Sequence, residues 1–381
     1  MLKSNIFKNF IKNMIYLNNA GTSWPKPNNV TEAIEEFNRS DPDQWMEIFE
    51  EGIQTVTSFF GIADPSRFLF TQSCTQSLAT AFTDFPWEAG DQLIISEMEH
   101  HALSRWYYKL QTERGVEGII IPRAAAGPLD LEKLEKELKK GAKMVAISMA
   151  SNVTGEILPY EEVVRLSKAY GAVCLLDGAQ VAGIIPINIS ELDPDIFVFA
   201  GHKGPLGPQG IGGLYISDPV SMVCPSAACE VTPGQNKNTI FPTYCDIGSA
   251  PMMTIAGLTA GIKWLEAKGW DALLDHQKTL VEKMRSGLSD IEGVEIVGSS
   301  SYGRYTGAVS IKSLTKPLEE IKRQLWDNYQ IKGSMGFQCA PLAHEALGTS
   351  ETGTLRFSVG PMNTEEDVEV FISGLDDILA S

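Results

Sequence analysis

The sequence predicts an α/β fold in which a large domain carries a mostly parallel seven-stranded sheet and a smaller C-terminal α+β domain follows. Three observations predict it. Seven apolar runs recur between residues 67 and 217, helical stretches separate several of them, and runs such as AVCLLD (172–177) and DIFVFA (195–200) do not alternate between apolar and polar residues. Unalternating runs mark strands buried on both faces, and strand–helix alternation marks a largely parallel sheet. At 381 residues the chain is too long for one ordinary core, so two domains are expected.

The strand candidates are RFLFTQ (67–72), DQLIIS (91–96), EGIIIP (117–122), KMVAIS (143–148), AVCLLD, DIFVFA and GGLYIS (212–217). Between them, LEKLEKELKK (131–140) and PYEEVVRLSKAYG (159–171) read as helices, the second with Pro159 as its first helical residue and Gly171 as its stop. Residues 224–249 are rich in Pro, Gly, Ser, Thr and Asn and are expected to form a long loop. Two long helices, 253–269 and 270–291, come next. VEIVG, TGAVSIKS, a helix at 318–329, TLRFSVG and a last helix at 365–379 complete the smaller domain. The expected division is 15–255 for the large domain and 256–381, together with residues 1–14, for the small one.

The net charge of −17, from 48 acidic and 31 basic residues, disfavours a nucleic-acid or anionic-membrane partner. No apolar run reaches the ~18 residues of a membrane span. The start, MLKSNIFKNFIKNM, lacks the continuous apolar core and cleavage site of a signal peptide. An amphipathic surface helix and a frayed extension both remain open for it. The six cysteines show no CxxC pair and no metal-ligand spacing with histidine, so no metal is expected and reduced thiols in a cytoplasm are. Cys174, inside an apolar run, is expected in the core.

The chemistry concentrates at the downstream ends of the apolar runs, where open α/β sheets collect ligands. Asp177 ends one run and Lys203 follows another. A lysine amine that captures an aldehyde and an aspartate that keeps a pyridine nitrogen protonated are what pyridoxal 5'-phosphate (PLP) requires. The turn Ser73-Cys74-Thr75 opens a helix directly after a strand, an anion site made of free backbone N–H groups, to which Thr75 adds a hydroxyl. In Glu99-His100-His101, His100 is the candidate to stack on a flat ring and move protons near pH 7, and His101 the bystander. Asn152 is expected to point an amide at the same crevice, Gln180 to reach the cofactor's phenolic oxygen and His202 to donate to its phosphate.

The ordered set YLNNAGT, TQSCTQS, EHH, SNVTG, DGAQ, GHKGPLGPQGIGGLY, CAPLAHEALG and GTLRFSVGPMNTEED resembles the class V aminotransferase family of fold-type-I PLP enzymes, in its cysteine desulfurase and selenocysteine lyase branch. The resemblance runs from residue 14 to the end, and DGAQ followed by GHK is its most diagnostic part. It implies the PLP-dependent transferase fold type I. Lys203 would carry the cofactor and later shuttle protons, with Asp177 on the ring nitrogen and His100 stacked on the ring. Gln180 and Asn152 would lie on the phenolic side. Thr75, the Cys74 backbone and His202 would hold the phosphate, and Ser249 would offer a hydroxyl to a partner subunit's phosphate. Arg356 would grip the substrate α-carboxylate, with Asn152 beside it. Cys339 would be the mobile thiol that takes sulfur as a persulfide, in a glycine-bearing, unperiodic stretch that reads as a flexible loop.

The activity so implied is conversion of L-cysteine to L-alanine with sulfur passed to Cys339, in a homodimer served by a sulfur-acceptor protein. The alternatives are an aminotransferase or C–S lyase without persulfide chemistry, or a catalytically silent PLP-fold binding protein. Several positions depart from the branch. Ser334, Phe337 and Gln338 stand where it carries an arginine and two histidines before the cysteine; Asn18 stands for an aspartate, Ala200 for a hydroxyl residue, and EVTPGQNKN (230–238) for a glycine-rich segment.

Overall fold

The computed structural model describes residues 14–218, 220, 228–229, 245–246, 250–299 and 303–381. The chain opens with β1 (Ile15–Tyr16) and passes through helices α1 (Asn28–Phe37) and α2 (Trp45–Phe59) before the large sheet begins. That sheet comprises β2 (Phe68–Thr71), β3 (Gln92–Ser96), β4 (Glu117–Ile121), β5 (Met144–Ser148), β6 (Val173–Asp177), β7 (Ile196–Ala200) and β8 (Gly212–Ile216), in the order β2-β8-β7-β6-β5-β3-β4. Helices α3 (Cys74–Asp84), α4 (His101–Arg114), α5 (Leu131–Leu138), α6 (Tyr160–Ala169) and the single turn α7 (Ile189–Leu192) fall between successive strands. β3 to β7 pair in parallel, and β8 runs against both β7 and β2.

The apolar runs sort themselves by the two-residue period of a strand. Ile94, Val145, Cys174, Leu176, Phe197 and Phe199 enter one core; Leu93, Ile95, Met144, Ala146, Leu175, Ile196 and Val198 enter another. Every residue of β5 and β7 is buried, which is why neither alternates, whereas the edge strand β4 is only partly covered. β4 and β5 flank β3 on opposite sides, so the strand order reverses there. A crevice outside the carboxyl ends at such a reversal is where this architecture binds ligands.

β9 (Ala228–Cys229) and β10 (Cys245–Asp246) form a short antiparallel pair inside the stretch expected as loop; the rest of that stretch, Ser249 included, lies outside the described residues. Helices α8 (Met252–Lys268) and α9 (Trp270–Asp290) lead to a second sheet. Its strands β11 (Val294–Ile296), β12 (Ala308–Ser313), β14 (Ser334–Gly336) and β15 (Thr354–Ser358) pair antiparallel in the order β11-β12-β15-β14. The remaining elements are α10 (Leu318–Tyr329), β13 (Ile331–Lys332), α11 (Pro341–Ala346) and α12 (Glu365–Ala380). Packing crosses the expected division: Leu258 and Ile262 join the first large-sheet core, while Leu17 joins the core of the second sheet, because β1 pairs in parallel with β13.

Two local readings change. Pro159 is the cap of α6, one residue before its first turn, because its ψ of 57° is not helical. The stretch before Cys339, expected as a flexible loop, contains β14, whose Ser334 and Met335 register with Arg356 and Leu355 of β15. Three residues are too few for a period to show in sequence, and the pairing partner is distant along the chain. Among the described residues no helix is long and apolar enough to cross a membrane.

Candidate active site

Asp177 closes β6 directly opposite Ser148 of β5, and its side chain turns into the crevice with 4% exposure. Its carboxylate accepts from the Ala179 N–H at 2.9 Å and from the Cys74 thiol at 3.3 Å. Burial raises its pKa, and burial holds the Cys74 thiol well above its ordinary value, so Cys74 stays protonated and donates. Lys203 follows β7 after a tight turn in which Gly201 donates to the Ile211 carbonyl and Leu206 to that of Lys203. A Cβ on Gly201 would sit 2.6 Å from Ile211, so only glycine lets the two strands' ends approach this closely. Burial pushes the Lys203 ammonium below the ordinary lysine range, against the opposing pull of Asp177, toward the neutral amine that attacks carbonyls.

Ser73 caps α3 by accepting from the Gln76 N–H at 3.2 Å, leaving Cys74 and Thr75 in the first turn beside the same crevice. Gly212 lets β8 approach, since a Cβ there would meet the Cys74 nitrogen at 2.8 Å. His100 caps α4: its Nδ1 accepts from the Ala102 N–H at 3.0 Å. Burial and the surrounding cations push its pKa down to about 4. With Nδ1 accepting from the helix and the ring desolvated, His100 is held toward its neutral form, with its hydrogen on Nε2.

On the other side of the crevice, Arg356 of β15 is 4% exposed. It donates to the Asn152 carbonyl at 2.7 Å and to Asn18 Oδ1 at 2.9 Å, while its Nε has no partner. Among the described residues no carboxylate pairs with it. The amide at position 18 therefore orients the guanidinium without neutralising it. Asn152 donates to the Gln338 carbonyl at 2.7 Å, and its buried Oδ1 is also unpartnered. Gln180 donates to the Ala20 carbonyl at 3.0 Å.

Cys339 is exposed at the lip, on a backbone with φ of 58° following Gln338 at 40°, both in the left-handed region that non-glycine residues rarely occupy. The surroundings hold that conformation. The Cys339 carbonyl accepts from the His101 N–H at 2.7 Å, and the Gln338 side chain bonds the Thr354 carbonyl, the Thr354 hydroxyl and His344 Nε2 at 3.1–3.2 Å. The stretch is thus tied down on both sides of the thiol. Ten of the sequence-selected residues, Cys74, Thr75, His100, Asn152, Asp177, Gln180, His202, Lys203, Cys339 and Arg356, line one cavity of about 370 Å³.

The family model for "Aminotransferase class-V" matches residues 15–371. The chain belongs to the class-V aminotransferase family. It is 29% identical to a "Probable cysteine desulfurase" of Pyrococcus abyssi over 97% of this chain and 95% of that one. It is 30% identical to a protein of the same name from Chlamydia muridarum over 99% and 97%. It spans only 54% and 55% of two longer mycobacterial relatives that also bear that name. Among solved structures, the apo cysteine desulfurase of Thermococcus onnurineus superposes with a TM-score of 0.88 at 29% identity, covering 96% of this chain and 95% of that one.

Within this class-V framework some residues of the site carry no local sequence signal. Asn18 stands far from Arg356 in the chain, and Gln338 was visible only as a departure. Glu99 is fully buried below His100 and accepts from the Ser148 N–H and hydroxyl and from the Ser96 hydroxyl; burial pushes its pKa up to about 7. It ties the ends of β3 and β5 together and so fixes the turn that presents His100. The acidic residue before the two histidines was the available hint.

Proposed function

We propose that this chain is a PLP-dependent cysteine desulfurase that converts L-cysteine to L-alanine and keeps the sulfur on Cys339. One observation carries the reading: a half-buried amine with lowered proton affinity, a buried carboxylate, an uncompensated guanidinium and an exposed thiol line a single cavity. The residues fit the coenzyme. Asn152 Oδ1 and Arg356 Nε are buried without partners, and Asp177 has room for a cationic ring nitrogen. When bound, PLP supplies an aldehyde for covalent attachment and a protonated ring that withdraws electrons from the substrate Cα.

The remaining work falls to the protein. Lys203 holds the coenzyme and then takes the Cα proton at Nζ. Asp177 would keep the ring nitrogen protonated, His100 would stack on the ring, and Gln180 and Asn152 would hold the phenolic side. Thr75, the Cys74 amide and His202 would hold the phosphate, and Ser249 would serve a partner's phosphate. Arg356 orients the substrate carboxylate in its planar fork. The Cys339 thiolate attacks the cysteine sulfur; an S–S bond forms, the substrate C–S bond breaks with its electrons going to Cβ, and Cβ takes a proton. Cysteine and enzyme thiol thus become alanine and enzyme persulfide, with no external oxidant. A thiol acceptor, small or protein-borne, then removes the sulfur.

The reading includes a homodimer in the cytoplasm, supported by the family resemblance. Purified protein given L-cysteine and a reductant should release sulfide and alanine in equal amounts, and Cys339→Ala should release neither. A Cys339→Ala variant as active as the parent would sink the persulfide step. The tethering of Cys339 on both sides favours one second reading, C–S elimination with the thiol uninvolved, whose signature is pyruvate instead of alanine.

A further inference from the structure

Lys26 is a half-buried lysine that the reaction above leaves unused. It donates to the Ser23 hydroxyl at 2.6 Å and to the His202 carbonyl at 2.8 Å, and desolvation lowers its pKa to about 8. The same carbonyl accepts from the Ser23 N–H at 3.1 Å, which fills both of its lone pairs. The Thr22 hydroxyl is 3.1 Å from that carbonyl and 3.0 Å from His202 Nδ1. It has one proton to give. The Ser23 hydroxyl has a nearer acceptor in the Lys203 carbonyl, at 2.7 Å against 3.2 Å for that of His202.

We propose that Lys26 and Thr22 together set the tautomer of His202: Lys26 occupies the His202 carbonyl, Thr22 therefore donates to Nδ1, and the ring hydrogen stands on Nε2 as a donor to a phosphate in the cavity. Without Lys26 the Thr22 hydroxyl turns to the carbonyl, Nδ1 takes the hydrogen to donate to Thr22, and Nε2 becomes an acceptor that repels an anion. Burial keeps the imidazole neutral at pH 7, with a pKa of about 4, so the tautomer decides whether the ring can donate. His202 lines the same cavity as Ser73, Cys74 and Thr75 at the start of α3, and its Nε2 makes no hydrogen bond among the described residues. Lys26 is a positioning residue here, acting on the coenzyme's phosphate through a carbonyl and a hydroxyl. The inference rests on the reading that the cavity takes a phosphate-bearing coenzyme.

The test uses the full chain with 15N-labelled histidine, stripped of coenzyme, at pH 7. Only five histidines are present, and His202→Gln assigns the signal. The parent should show a protonated Nε2 and a bare Nδ1 at His202. Lys26→Met and Thr22→Val should raise the Nδ1–H share, and Thr22→Ser should restore the parent pattern. In both damaging variants the Kd for PLP should rise about tenfold, the size of one lost hydrogen bond to a charged group, with the Kd for phosphate-free pyridoxal unchanged. An Nδ1–H tautomer in the parent overturns the proposal without any variant. So does an unchanged tautomer in Lys26→Met, or an equal loss of PLP and pyridoxal affinity. If the tautomers behave as stated but PLP does not bind, the coenzyme reading fails and the tautomer assignment stands.

Discussion

The two walls of the cavity are built differently. The wall bearing Asp177 and Lys203 consists of strand ends in a sheet covered on both faces, with every functional group close to a buried, unalternating run. The wall bearing Cys339 and Arg356 comes from a small antiparallel sheet and a turn with two left-handed residues, held by bonds from the Asn152 amide and the His101 N–H. The difference teaches that a covalent anchor for a ring is set by packing, whereas a thiol that must meet a substrate is exposed and positioned by tethers reaching over from the other wall.

Replacing Lys203 by Ala should have the largest effect. It should lower kcat/KM by about 10³-fold or more, since the residue that moves the proton is gone, and should abolish the visible coenzyme band. Cys339→Ala should separate the walls: sulfide release falls to background while the band and coenzyme affinity stay as in the parent. If the band is lost too, the walls are not independent. Arg356→Lys keeps a charge but loses the fork, so KM for L-cysteine should rise about 10- to 100-fold with a smaller change in kcat.

Acid should act on the stability of the wall bearing Asp177 and Lys203. His100 and His202 are pushed down to about 4, so the stability they contribute is complete above pH 6.5 and is lost as pH falls toward 4. Glu99, pushed up to about 7, opposes them: its contribution is complete below pH 4.5 and is lost as pH rises through 7. Urea melts of the coenzyme-free protein between pH 7 and 5 should show a net loss on the order of 1–2 kcal/mol, flatter in His202→Gln and steeper in Glu99→Gln. The smallest effect is Gln338→Ala, which removes a tether from the Cys339 turn; about 1 kcal/mol of stability should go, with the coenzyme band unmoved.

The legibility of the site follows the same division. Asp177, Lys203, His100, Asn152 and the turn at Ser73 could be read because each lies at or shortly after a strand end that hydrophobicity alone locates. Arg356 and Cys339 were reached through family resemblance, since β14 is three residues long and no local pattern sets β15 beside the large sheet. The cap that fixes the His100 ring was hidden, because an imidazole accepting from a backbone N–H leaves no trace in composition.

Local sequence determined the order of strands and helices, the side of the large sheet on which chemistry gathers, and the residue types available there, because burial and hydrogen bonding along a strand or helix depend on near neighbours. Only the tertiary structure decided that Asn18 steers Arg356 across 338 residues without cancelling its charge, and that Lys26 reaches the His202 carbonyl across 176. Such pairings are chosen by the closing of β1 onto β13 and of one wall onto the other. Their energies depend on distances that no stretch of chain contains by itself.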